Sequence, residues 1–108
     1  MADSLYNYIS LANEVTLYLS KSIGNWSEFL RTLGNVYKYP FLDQLMIFAQ
    51  APSATAVAEK ELWTKGLHRR IKPRAQGITL FLLQDGKPIG LRVVYDVADT
   101  EGAEEVRS

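Results

Sequence analysis

Ten residues between Lys38 and Arg74 are of types that bind rather than react. Arg69, Arg70, Lys72 and Arg74 crowd into a basic run that begins at Lys65 and holds the chain's one histidine, His68. Guanidinium groups in a loop meet phosphate oxygens in pairs, and lysine adds a compact charge. Gly66 and Pro73 shape that loop and let backbone approach a ligand. Upstream, Lys38, Tyr39, Gln44 and Gln50 add a cation, a ring and two amides. Such groups contact phosphates, stack on unpaired bases and reach base edges. Tyr39 precedes Pro40, which biases it out of helical geometry, so it is expected to be the exposed ring. Tyr37, Phe41, Phe48 and Trp63 are expected mainly in the core. Gln50 has a second reading, in which it satisfies backbone groups at the following turn.

The inventory prunes catalysis. One histidine and no cysteine leave no His/Cys metal cluster, thiolate zinc site or disulfide. A serine-histidine-acid triad would have to use His68, and no nucleophile elbow accompanies it. The glycines, at 24, 34, 66, 77, 86, 90 and 102, match neither a phosphate-binding loop nor a dinucleotide fingerprint. Asp96 and Asp99 together have the chemistry to hold a divalent cation, but near a strand end they are read as solvated. The expectation is a chain without catalytic residues, metal or cofactor.

Four helical segments must position these groups. Leu5, Tyr8, Ile9, Ala12, Val15 and Leu19 form a helical stripe over 4–21. Asn25 is expected to cap a second helix, with Glu28 as its capping-box partner and Trp26, Phe29, Leu30, Leu33, Val36 and Tyr37 as its stripe. Pro40 suits the first turn of a third helix, and Asp43 suits its positive end. There Phe41, Leu42, Leu45, Met46 and Ala49 make the core arc. Asp43, Gln44, Ile47 and Gln50 fall opposite, a polar side with little charge and unusual for a solvated face. Residues 56–65 are expected to form a short helix anchored by Leu62 and Trp63.

The period then changes to that of strands. Residues 78–83 and 89–97 read as two strands joined by Asp85-Gly86, a strong hairpin signal. A short extended piece near Arg70 and Ile71 is available as a third strand. A lone hairpin is marginal, so it must pack on the helices. The fold class is α+β, about four helices on a small antiparallel β-sheet.

At 108 residues, 47% hydrophobic and 22% charged, the chain has the composition of one globular domain. Its longest apolar run, residues 45–49, is too short to span a bilayer. No signal peptide is visible, and the expectation is a cytoplasmic protein that does not enter membranes. Net charge is zero but unevenly spread. Residues 62–92 carry seven cations against Asp85 alone, and residues 96–105 carry five carboxylates and no cation. The acidic tail, 101–108, is placed to compete for the basic loop.

Several runs resemble the N-terminal domain of ArdC-type antirestriction proteins, which also begins very large conjugative-element proteins with helicase or methylase regions. They are Trp26-Ser27-Glu28-Phe29-Leu30, Tyr37-Lys38-Tyr39-Pro40-Phe41 with Asp43-Gln44-Leu45-Met46-Ile47 and Ala49-Gln50, Pro52-Ser53-Ala54-Thr55-Ala56-Val57-Ala58, Trp63, Gly77-Ile78, and Val94-Tyr95-Asp96-Val97 with Thr100. The resemblance covers about residues 22–100. It implies a non-catalytic single-stranded DNA-binding domain of a bacterial mobile-element protein. Downstream domains of a longer polypeptide would be its partners. The metallopeptidase-like second domain of ArdC does not carry over, since no His-Glu-x-x-His occurs. The chain departs from the family in the basic loop, where a Gly-Arg step and a Gly-Glu-Lys-Gly turn give way to Gly66-Leu67-His68-Arg69-Arg70 and Pro73-Arg74-Ala75-Gln76-Gly77. Interdomain or protein–protein docking, through the uncharged face at Gln44, Ile47 and Gln50, is the alternative function.

Overall fold

Apolar residues three and four apart wind the first segment into helix α1 (Ala2–Ser20), which turns Val15 and Leu19 inward. The structure, a computed structural model, describes residues 2–102, with side chains from residue 4. Glu104 and Glu105 of the acidic tail lie outside the described residues. Helix α2 (Ile23–Leu33) is capped by Ser22, whose Oγ accepts the Asn25 N–H at 3.0 Å. Asn25 is therefore not the cap. Its Nδ2 donates to Tyr18 O at 2.7 Å, and Glu28 accepts the Tyr18 hydroxyl at 2.7 Å. Both residues expected to start α2 instead tie it to α1. The helix stops at Leu33, so Val36 and Tyr37 lie beyond it. Val36 turns into the core, while Tyr37 is 68% exposed.

Helix α3 (Phe41–Gln50) occupies the centre of the fold. On one side Leu45 and Phe48 join Val15, Leu19 and Phe29 of the other helices. On the other, Met46 and Ile47 join Ile78, Leu80, Phe81 and Val94 of the sheet. Met46 and Ile47 are fully buried, each contributing about 1.5–3 kcal/mol of apolar burial. A helix packed on two sides has no solvated face. The expected polar side, Asp43, Gln44 and Ile47, is therefore buried, and the exposed position is Phe41.

Strand β1 (Val57–Ala58) replaces the first part of the expected fourth helix, and a single π-helical turn (Leu62–Gly66) follows it. Trp63 is buried there, and its Nε1 donates to Tyr95 O at 2.9 Å. Strand β2 (Arg70–Ile71) comes next, then the hairpin of β3 (Ile78–Gln84) and β4 (Lys87–Asp96). Its turn residues Asp85 and Gly86 both have positive φ, 52° and 76°, the twist that matches strands joined by two residues. A 3₁₀ turn (Val97–Asp99) leads to β5 (Thr100–Glu101). The main sheet has the order β1-β4-β3, all antiparallel. Its third strand is β1, not the Arg70–Ile71 piece, which pairs with β5 in a separate antiparallel ladder. The architecture is α+β, with helices against a small antiparallel sheet.

Candidate nucleic-acid interface

The basic run is a set of turns pinned at several points. Arg69 N–H donates to Trp63 O at 2.8 Å, which hangs the run from the buried tryptophan. His68 takes a left-handed φ of 56° and reverses the chain into β2. Arg70 and Ile71 then pair with Glu101 and Thr100. The Lys72 N–H donates to Asp99 O at 2.9 Å, and the Ala75 N–H closes a turn on Lys72 O at 3.1 Å. That last turn presents Pro73 and Arg74.

These anchors sort the expected contact residues. Lys65, His68, Arg70, Lys72 and Arg74 are exposed. Arg70 Nε lies 2.6 Å from Glu101 Oε1, with its side chain still 79% accessible. Lys72 Nζ donates to Ala98 O at 2.9 Å. Lys65 and Arg74 carry no ion pair or side-chain hydrogen bond among the described residues. Arg69 differs from the other cations. It is half-buried, and its guanidinium wraps Thr100, with Nε to Oγ1 at 2.8 Å and one terminal nitrogen to the carbonyl at 3.2 Å. It holds β2 to β5 rather than facing a ligand.

The helical half of the expected site divides differently. Gln44 is buried, its Nε2 shared between Val36 O and Tyr37 O at 3.3 Å each. Gln50 bonds both backbone groups of Thr79, donating to the carbonyl at 2.7 Å and accepting the N–H at 2.9 Å. It does satisfy backbone, but that of a strand 29 residues on rather than the next turn. Tyr39, expected to be exposed, packs against the core, and its hydroxyl donates to Val57 O at 3.0 Å. Burial raises its phenol above the ordinary range, against the pull of Arg92. Gln44, Gln50 and Tyr39 are thus internal struts. Lys38 alone of this group stays exposed, with Nζ 5.9 Å from the centroid of the Tyr37 ring.

Sequence reasoning placed Tyr37 in the core and so missed the most exposed ring beside a cation. The available signal was Gly34-Asn35, a helix stop that takes Tyr37 off the α2 stripe. Phe48 and Trp63 are buried as expected, and Phe41 is 57% exposed. Asp96, read as solvated, is buried. Its carboxylate accepts the N–H groups of Thr55, Ala56 and Ala98 at 2.8, 3.1 and 3.1 Å. It braces two loops, and no acidic or histidine cluster able to hold a metal occurs among the described residues. Among the same residues no helix is long and apolar enough to cross a membrane. Comparison with protein families, curated proteins and solved structures found no match for this chain.

Proposed function

We propose that this domain is a non-catalytic single-stranded DNA-binding module of a bacterial mobile-element protein of the conjugation and antirestriction type. It acts in the cytoplasm beside further domains of a longer polypeptide. The observation that carries this reading is the group of accessible cations, Lys65, Arg70, Lys72 and Arg74, on turns pinned to the fold by Trp63, Arg69 and the β2–β5 ladder. Four charges of one sign on a held backbone suit a phosphate chain. The resemblance in the 22–100 region adds the expectation that this chain is single-stranded.

Fluorescence anisotropy with a labelled single strand tests it, with the matching duplex as comparison. Four phosphate contacts give log K a slope near −3 against log salt. Binding that ignores salt, or that favours the duplex, sinks the reading.

One observation favours docking as a second reading. Ile23, Trp26, Leu30 and Phe41 are all exposed. Trp26 and Phe41 also line an apolar cavity of about 390 Å³ with Leu19 and Leu45. In this reading another domain of the same polypeptide covers that face. Anisotropy separates the two: a docking module leaves the labelled strand unbound at every salt concentration.

A further inference from the structure

A second cleft, largely apolar with a few polar groups, opens between the 35–39 turn and the start of β1. It holds about 250 Å³, and Asn35, Tyr37, Lys38, Tyr39, Thr55 and Val57 are among the residues that line it. That is below the roughly 300–1,000 Å³ of sites that enclose a drug-sized molecule, and it suits one flat ring. Three features give it a chemistry. Tyr37 offers a ring that is 68% exposed. Lys38 Nζ lies over one face of that ring, 5.9 Å from its centroid, so a positive charge stands on one side of the ring and stacking falls to the other. Asn35 donates through Nδ2 to Ala54 O at 3.2 Å, which fixes the amide and leaves Oδ1 and the Thr55 hydroxyl as polar groups at the cleft.

The cleft is also joined to the basic turns. Asp96 Oδ1 accepts from Thr55 N–H, and Asp96 Oδ2 accepts from Ala98 N–H, at 2.8 and 3.1 Å. Lys72 Nζ donates to the carbonyl of that same Ala98. Thr55 and Lys72 are thus connected through one carboxylate and one residue.

We propose that this cleft is a pocket for one unpaired nucleobase, in which the base stacks on Tyr37, Lys38 meets the adjoining phosphate, and Asn35 and Thr55 face the base edge. The pocket rests on the single-strand reading given above and adds to it a base-dependent contact. Stacking on an exposed ring tolerates any base, so the contact distinguishes stacked bases from bare backbone rather than one sequence from another.

The test measures anisotropy of a labelled oligothymidylate and of the same strand made of abasic sites, at one fixed salt concentration. Four proteins are compared: wild type, Tyr37→Ala, Tyr37→Trp, and the double variant Lys65→Ala with Arg74→Ala. Wild type is expected to bind the base-bearing strand about 5- to 150-fold more tightly than the abasic one. Tyr37→Ala abolishes that preference without weakening abasic binding, and Tyr37→Trp keeps it. The double variant weakens both strands by the same factor. Wild type binding both strands equally, or Tyr37→Ala keeping the preference, overturns the pocket and leaves the single-strand function standing. Wild type binding neither strand removes the function and the pocket together. The wild-type comparison of strands involves no substitution, so a variant that folds poorly does not protect the proposal.

Discussion

Gln50 takes the place of a strand neighbour. Its side-chain amide pairs with both backbone groups of Thr79 and also donates to Met46 O at 3.0 Å. Gln50→Ala leaves the Thr79 peptide groups without these partners, at a cost of about 2 kcal/mol. Urea unfolding should show a lower midpoint with unchanged slope, and an unaltered midpoint would count against this role. Asp43 is the second polar strut of α3. Its carboxylate is 5% accessible and meets Arg92 at 2.8 Å, and the same guanidinium reaches Glu59 at 3.2 Å. Burial raises the Asp43 carboxyl above its ordinary 3.8, with Arg92 opposing. Asp43 therefore holds its proton more tightly folded than unfolded. Its favourable contribution is present below pH 3.8 and is lost as pH rises through the higher folded value. Asp43→Asn stays uncharged throughout, so the stability of wild type minus that of Asp43→Asn should fall across that interval. A difference that rises with pH would show that the ion pair outweighs desolvation. The amides and the carboxylate of α3 were visible in the sequence as a side too poor in charge for solvent. Their partners, Val36, Thr79 and Arg92, lie on other elements, and a helical wheel contains none of them.

At the scale of elements, two glycines with positive φ separate backbone strain from steric conflict. Gly86 has φ 76° and nothing within 4 Å of an added Cβ. Gly86→Ala therefore costs only the left-handed backbone term, about 1–2 kcal/mol. Gly77 has φ 74°, and a Cβ there would lie 2.5 Å from Val93 Cγ1 and 3.3 Å from Val94 O. Gly77→Ala should be more destabilising, since the Val93 side chain of β4 must also be displaced and Val94 O must give slightly. Denaturant midpoints of the two variants check the order, and equal midpoints would refute it. The hairpin was legible because turn chemistry and two-residue alternation are local. Arg70 and Ile71 were legible as an extended piece but their partner strand was not, and β1 was not legible at all, since two residues carry no period. β1 exists because β4 offers Tyr95 and Asp96 as partners, and β2 because Thr100 and Glu101 return beside it.

Across the whole molecule, opposite charges that are distant in sequence meet. Arg70 and Glu101 are 31 residues apart and form a 2.6 Å contact at an open site. An exposed pair of this kind adds little stability, but it occupies one of the four accessible cations of the basic turns. Glu101→Gln should leave unfolding almost unchanged. It should raise affinity for a single strand at low salt, because Arg70 no longer leaves a carboxylate to reach a phosphate, while the salt slope stays near that of four phosphate contacts. Anisotropy titrations at several salt concentrations measure both, and weaker binding by Glu101→Gln would exclude competition at this position.

The α+β class, three of the helical segments, the hairpin and the uneven charge were all determined by the amino-acid sequence. Each depends on period, turn chemistry or composition within a short window. Tertiary structure decided which polar and aromatic groups face out. Because α3 lies between the other helices and the sheet, Tyr39, Gln44 and Gln50 became internal partners of distant backbone. Arg69 became a clamp on Thr100 for the same kind of reason, and Tyr37 was left outside because α2 stops at Leu33. A side chain's exposure depends on what packs over it, and here the covering residues come from elements far away in the chain.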